Sequence, residues 1–202
     1  MAPVLLNQFR SIITSPLISV FCKKYEENEI LLRRSIDTSI CTVLIGLDSI
    51  INNSDLYDKI IDSITFSEFN KTVEYDAGKL SSINYSFEHE GFIPLNLIFS
   101  IKKGRISEMI SNEVGVKSET ANAILNFAVM LILSYFKKEN QTANKTQDEL
   151  NAEKKIILNT VPEGIRIILG YPNFECEETH YDSNTLVKTN SKTHFLSKIF
   201  KL

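Results

Sequence analysis

Residues 118–138 have the sequence Ser-Glu-Thr-Ala-Asn-Ala-Ile-Leu-Asn-Phe-Ala-Val-Met-Leu-Ile-Leu-Ser-Tyr-Phe-Lys-Lys. From Glu119 to Phe136 this stretch is apolar on almost every side, a pattern typical of a helix that is covered on all faces. Ser118 is predicted to cap the first turn, and the two terminal lysines favour a helix end there. Its most apolar part, Ala123 to Phe136, has about 14 residues, fewer than the roughly 20 that cross a bilayer. We therefore predict that this helix lies at the centre of a packed core.

Amphipathic helices are also indicated on the N-terminal side of this core helix. Apolar residues recur there at spacings of three and four, which is the pattern of a helix with one buried face. Ser15 before Pro16, Asn28 before Glu29 and Ser54 each stand where a polar side chain caps a helix start. These signals predict four helices before residue 65.

The C-terminal side shows the same kind of signals. Pro94 opens an apolar helical run, and Gly115 suits the left-handed end of the helix that follows. Residues 146–149, Thr-Gln-Asp-Glu, form a capping box, while Pro162 and Gly170 bracket a last short helix. The predicted fold class is therefore all-α, a compact array of about eight helices.

Residues 65–91 lack the helical period. Polar and aromatic residues alternate there irregularly, with a single glycine at position 78 before the one that ends the stretch. The stretch is interpreted as a linker. A short hairpin is the alternative, because alternation and aromatic side chains suit β-strands.

The helices on the two sides of this connector follow a similar order. An offset of about 88 residues pairs Ile18 with Ile106 and Val43 with Leu131. On each side a short helix, a break and a long apolar helix follow one another. The pattern predicts two pseudo-repeated halves, about 15–64 and 92–138, joined by the connector 65–91.

A family resemblance appears in the second half. Arg105-Ile106-Ser107-Glu108-Met109, through Gly115-Val116-Lys117-Ser118 and into Ile124–Leu131, resembles the core motif of the YidB-like family, a bacterial domain of unknown function. Leu17–Leu47 is similar to the first half of that family, and 160–165 to its Pro-Gly segment. The resemblance implies an all-helical array over roughly 15–170 and brings no catalytic residues.

These patterns divide the chain into two parts. Residues 1–170 are predicted to form a YidB-like helical domain. Residues 171–202 are predicted to form a polar tail that ends in a short amphipathic segment, with Phe195, Leu196, Ile199 and Phe200 on its apolar side.

Composition limits the classes of protein to which this chain belongs. The 202 residues carry 22 Lys+Arg and 25 Asp+Glu, a net charge of −3, and the pI is about 5.7. This balance lacks the basic signature of a general nucleic-acid binder. Hydrophobic residues at 43% and charged residues at 23% are typical of a globular chain and exclude collagen-like and wholly disordered proteins.

The cysteines and the N-terminus predict a cytoplasmic location. Cys22, Cys41 and Cys176 are odd in number and form no Cys-x-x-Cys pair, so neither a disulfide framework nor a zinc ribbon is indicated. The first ten residues lack the basic start and apolar run of a secretory signal.

Few residues suit catalysis or metal binding. Residues 176–182 combine a thiol, carboxylates and an imidazole, but they lack a second Cys or His at metal-site spacing. A solvated acidic loop is favoured over a zinc or iron site. Glu88-His89-Glu90 places a base between carboxylates, and here surface polarity is favoured over general-base chemistry. We predict no catalytic residue, no metal ligand and no cofactor.

Residues 106–126 have the outline of a helix-turn-helix around Gly115. A recognition helix needs polar side chains for bases and cations for phosphates. Glu119 is acidic, however, and no Lys or Arg occurs between Ser118 and Tyr135. A corner of the core is favoured, and nucleic acid is disfavoured as a partner.

The predicted function is that of a non-enzymatic helical module for protein interaction or scaffolding, whose partner is another protein or a second copy of the chain. The alternatives are DNA binding through 106–126 and an enzyme with a dispersed, unrecognised site. No transmembrane segment is predicted. The lysines of the C-terminal segment allow weak contact with a membrane surface.

Overall fold

The fold is nearly all helix in the computed structural model, which describes residues 4–72, 74–76, 79–83 and 86–174. Within these residues eight α-helices have eight or more residues: α1 (Val4–Ile12), α2 (Ser15–Tyr25), α3 (Glu29–Asp48), α4 (Ser54–Asp62), α7 (Phe92–Phe99), α8 (Lys103–Val114), α9 (Ser118–Lys138) and α10 (Ala143–Thr160). The shorter elements are α5 (Glu68–Thr72), α6 (Phe87–Glu90), α11 (Glu163–Leu169), the 3₁₀ turn Ser100–Lys102 and the strands β1 (Glu74–Asp76) and β2 (Lys79–Ser82). The all-α prediction is confirmed.

Helices α3 and α9 pack along each other at the centre of the molecule. All residues of α9 from 123 to 133 are buried, and so are those of α3 from 38 to 48. The prediction that 123–136 lies in the core is confirmed, with only Ser134 and Tyr135 half-buried. Helix α9 also has the length and composition of a membrane span, but 78% of that window is buried inside the fold, which is typical of a core helix.

Phe127 of α9 lies in the middle of an aromatic cluster. Its ring is 5.1 Å from that of Phe21, 5.5 Å from Phe87 and 6.5 Å from Phe69, measured between centroids. The edge-to-face geometry of the Phe21 and Phe69 pairs is one that aromatic rings prefer. This cluster joins α2, α5 and α6 to the core helix.

The stretch 65–91 is not a linker. It contains α5, the hairpin of β1 and β2, and α6, so the hairpin alternative is the one observed. The strands are antiparallel, with Tyr75 opposite Leu80. Leu80 is fully buried, and its carbonyl accepts a hydrogen bond from Thr14 Oγ1 at 2.7 Å. Such distant contacts, which local periodicity does not encode, hold this stretch against the body.

Two helix starts differ from the sequence prediction by one residue. Thr14, rather than Ser15, caps α2, and Asn53, rather than Ser54, caps α4. In both places two neighbouring side chains carry a suitable oxygen, and the backbone is extended at the first of them. Asn28 caps α3 as predicted, with its Oδ1 accepting from the Ile30 N–H at 2.8 Å.

Two further predicted caps have other roles. Helix α10 is capped by Thr142, and Thr146 of the predicted capping box is buried in the second turn, 2.9 Å from the Tyr57 hydroxyl. Ser118 is the first residue of α9 and does not cap it. The acceptor at that helix start is the Glu27 carboxylate, which belongs to the loop between α2 and α3.

The predicted helix ends at glycine are confirmed. Gly115 follows α8 with φ 87° and Gly170 follows α11 with φ 98°, both in the left-handed region that glycine favours. A third helix, α2, ends at Glu26 with φ 53°, although this residue is not a glycine.

The two predicted halves have helix pairs of similar length. Helices α2 and α3 have 11 and 20 residues, and α8 and α9 have 12 and 21. The pseudo-repeat itself stays a prediction. Of the predicted tail 171–202, residues 171–174 are described, and the amphipathic segment lies outside the described residues.

Candidate functional site

Large apolar side chains are exposed around helix α7. Phe92 is 55% exposed, Ile93 58% and Ile101, in the 3₁₀ turn after the helix, 93%. A monomeric soluble protein exposes few such groups together, and a cluster of them marks an interaction site.

Phe66 is a further exposed apolar side chain, and the backbone beside it is tied to the residues just before α7. It is 89% exposed and precedes Ser67, whose hydroxyl donates a hydrogen bond to the Glu90 carboxylate. Glu90 also accepts from the backbone N–H of Glu68 at 2.8 Å. Because Glu90 stands two residues before Phe92, these bonds hold Phe66 near the start of α7. We call Phe66, Phe92, Ile93 and Ile101 together the α7 patch.

Cations border the α7 patch. The Lys103 ammonium lies 3.9 Å from the centre of the Phe92 ring, a cation–π contact that also brings the start of α8 to this surface. Burial lowers the pKa of Lys103, since it disfavours the charged form. Lys102 and Arg105 beside it are exposed. On the side of Phe66, Lys137 Nζ donates to Thr65 Oγ1 at 2.6 Å.

The sequence of α7 explains why these apolar side chains are exposed to solvent. One face of α7 packs against the core, and its buried residues are Pro94, Leu95, Ile98 and Phe99. The sequence of α7 is apolar on the opposite face as well, and there Phe92 and Ile93 remain more than half exposed, although the Lys103 side chain lies over the Phe92 ring. The sequence predicts an apolar helical run that begins at Pro94, but the exposed face of this helix was not predicted. The Lys102-Lys103 pair just after this helix is the sequence feature that could have indicated an exposed surface here.

The Glu88-His89-Glu90 triplet lies in α6, and its two carboxylates bind different partners. Glu88 accepts from Lys24 Nζ at 2.7 Å and from the Tyr25 hydroxyl. Burial by itself would raise the pKa of Glu88, but these two hydrogen bonds, together with the charges of Lys24 and His89, outweigh burial and lower that pKa. Both glutamates are thus engaged in holding helices together, and His89 is exposed.

The helix-turn-helix outline corresponds to α8, the Gly115 turn and α9. At the start of α9 only Ser118, Glu119 and Asn122 are exposed among residues 118–126, because the rest of its surface packs in the core. DNA binding by this segment stays a prediction.

The predicted acidic loop 176–182, with Cys176 and His180, lies outside the described residues, as does His194. Among the residues that the structure describes, no three His, Cys, Asp or Glu side chains are grouped so as to hold a metal ion. Cys22 is half-buried and Cys41 fully buried, and burial raises the pKa of the Cys41 thiol to about 12.

Comparison with known proteins gave no match: neither a protein-family model, nor a curated protein, nor a solved structure matches this chain. The resemblance to the YidB-like family therefore stays a prediction.

Proposed function

We propose that this chain is a non-enzymatic, YidB-like helical module of the bacterial cytoplasm that binds a protein partner through the α7 patch. The exposure of Phe92, Ile93 and Ile101 beside the Lys103 ammonium carries this proposal. Aromatic and aliphatic side chains that gain burial supply most of the affinity at the centre of protein interfaces.

The cations favour a particular kind of partner. A twofold dimer through the same patch would place Lys102, Lys103 and Arg105 of two copies against each other. Like charges at an interface cost free energy and oppose that arrangement. A different protein, with an apolar face bordered by carboxylates, complements the patch in both respects.

The test is affinity capture from native bacterial extract with the full chain and two variants. The patch variant combines Phe92→Ser and Ile101→Ser, and the control is Ile30→Ser on α3, whose side chain is 73% exposed outside the patch. We expect the wild-type chain and the control to retain the same protein, and the patch variant to lose it. Rising salt should weaken the capture, because the rim is charged.

Three results would contradict the proposal. One is equal capture by the patch variant and the control. Another is duplex DNA binding that weakens steeply with salt, which would favour the helix-turn-helix alternative. The third is binding to anionic vesicles that the patch variant loses, which would make the occupant a membrane surface.

A further inference from the structure

A concave surface lies at the far end of α8 from the α7 patch. A cleft of about 560 Å³ is formed by the N-terminal half of α3, the last turn of α8 and the corner between α10 and α11. This volume is in the range of small-molecule sites. A smaller pocket of about 160 Å³ adjoins it and shares Arg33 and Asp37 with it.

The arginines of the chain are concentrated in these two pockets. The sequence contains five, and Arg10, Arg33, Arg34 and Arg166 line the pockets, whereas Arg105 does not. A guanidinium binds a carboxylate through two parallel hydrogen bonds, which gives both strength and orientation.

In the wall of the cleft, the Arg166 side chain is held in place by contacts within the protein. Arg166 is only 9% exposed, its guanidinium donates to the Leu158 carbonyl at 3.3 Å, and the Phe174 ring lies 5.6 Å from its central carbon. The side-chain oxygen of Asn159, also in the wall, is buried without a hydrogen-bond donor.

Two charged residues of the cleft, Asp37 and Arg33, are already paired with other side chains of the protein. Asp37 pairs with Arg10 at 3.1 Å, and Arg33 pairs with Glu29 at 2.8 Å. Because of these ion pairs, Asp37 and Arg33 contribute little net charge for a ligand to bind.

Three other charges in the cleft are open. Within the described part of the chain, the side chains of Arg34, Glu113 and Glu163 have neither an ion pair nor a hydrogen bond, and all three are exposed to the cleft. The sixth charged residue of the lining, Arg166, is largely buried and donates to the Leu158 carbonyl, so it belongs to the wall of the cleft rather than to its open charges. The open charges are therefore one guanidinium and two carboxylates. Its complement carries one negative group and one or two positive groups.

We infer that the cleft binds a basic amino acid, either free or as the C-terminal residue of a peptide. Arg34 would take the ligand carboxylate, and Glu113 and Glu163 would take its amines. The two glutamates repel an acidic amino acid, and a diamine without a carboxylate leaves Arg34 unpaired. The cleft thus selects against both.

Calorimetric titration of the full chain at low salt tests this inference with L-lysine, L-glutamate and cadaverine, the diamine that lacks the lysine carboxylate. We expect L-lysine to bind, cadaverine to bind about tenfold more weakly and L-glutamate not to bind at about 10 mM. Nα-acetyl-L-lysine distinguishes the two sources. Equal binding of this compound and L-lysine indicates a peptide C-terminus, and weaker binding indicates the free amino acid.

Variants separate the proposed roles. Arg34→Gln should weaken L-lysine about tenfold and leave cadaverine unchanged, because only the carboxylate contact is lost. Glu163→Gln should weaken both compounds. Arg105→Gln, which changes the arginine outside the pockets, should change neither. The inference is overturned if L-lysine does not bind the wild-type chain at about 10 mM, or if Arg34→Gln binds it as the wild type does.

Discussion

The carboxylate of Glu27, between α2 and α3, accepts a hydrogen bond from the backbone N–H of Lys117 at 2.7 Å. The same oxygen accepts from Thr120 Oγ1 at 2.9 Å. Lys117 and Thr120 lie at the start of α9, where unpaired N–H groups and the positive end of the helix dipole favour an anion. The core helix is thus capped by a residue 90 positions earlier in the sequence.

Replacing Glu27 with Ala should destabilise the protein by about 1–2 kcal/mol, because the start of α9 loses its acceptor. Urea unfolding measures this change. Glu26→Ala is the matched control, since Glu26 forms an ion pair with the side chain of the same Lys117 but is itself 84% exposed. The control should cost no more than about 0.5 kcal/mol. Equal losses for the two variants would show that Glu27 is not a cap.

Glu26→Gly should stabilise the protein by about 0.5–1 kcal/mol. Glu26 ends α2 with φ 53°, where a side chain is unfavourable and glycine is not. The weak ion pair lost with Glu26 offsets only a small part of this gain. An unchanged or lower midpoint of thermal unfolding would contradict the expectation.

Gly91→Ala and Gly104→Ala should have opposite effects. A Cβ at Gly91 would lie 2.8 Å from the backbone oxygen of Asn126 in α9, so the start of α7 would have to move away from the core helix. We expect a loss of about 1–3 kcal/mol. A Cβ at Gly104 meets nothing within 4 Å, and alanine there should add about 0.5 kcal/mol through helix propensity. Chemical denaturation of both variants, each compared with the wild type, measures whether the free energy of unfolding falls for Gly91→Ala and rises for Gly104→Ala.

The stability that Glu88 contributes should depend on pH. Its pKa is lower in the folded state, so its contribution is present above the unfolded pKa of about 4.3 and is lost as the pH falls through the folded value. Glu88→Gln should therefore be about 0.5–1 kcal/mol less stable than the wild type at pH 7. This difference should shrink between about pH 5 and pH 3.

Glu108→Gln, on the exposed face of α8, is the control for this pH series and should track the wild type throughout. A constant difference between Glu88→Gln and the wild type down to pH 3 would rule out the proposed role of the ionised carboxylate.

The sequence by itself determined the features that depend on neighbours along the chain. The apolar pattern placed α9 in the core, and Asn28, Gly115 and Gly170 fixed helix ends, because caps act within one turn. Even here a cap shifted by one residue wherever two suitable side chains adjoin, as at Thr14 and Ser15.

Only the tertiary structure decided which surfaces are covered and which distant groups meet. Glu27 caps α9 and Glu90 holds α5 through contacts between elements far apart in sequence. The apolar residues of α7 look alike in the sequence, yet Leu95 is buried and Ile93 is exposed. Local patterns predict that a helix has an apolar face, but burial requires a neighbour, and the neighbour is set by long-range packing.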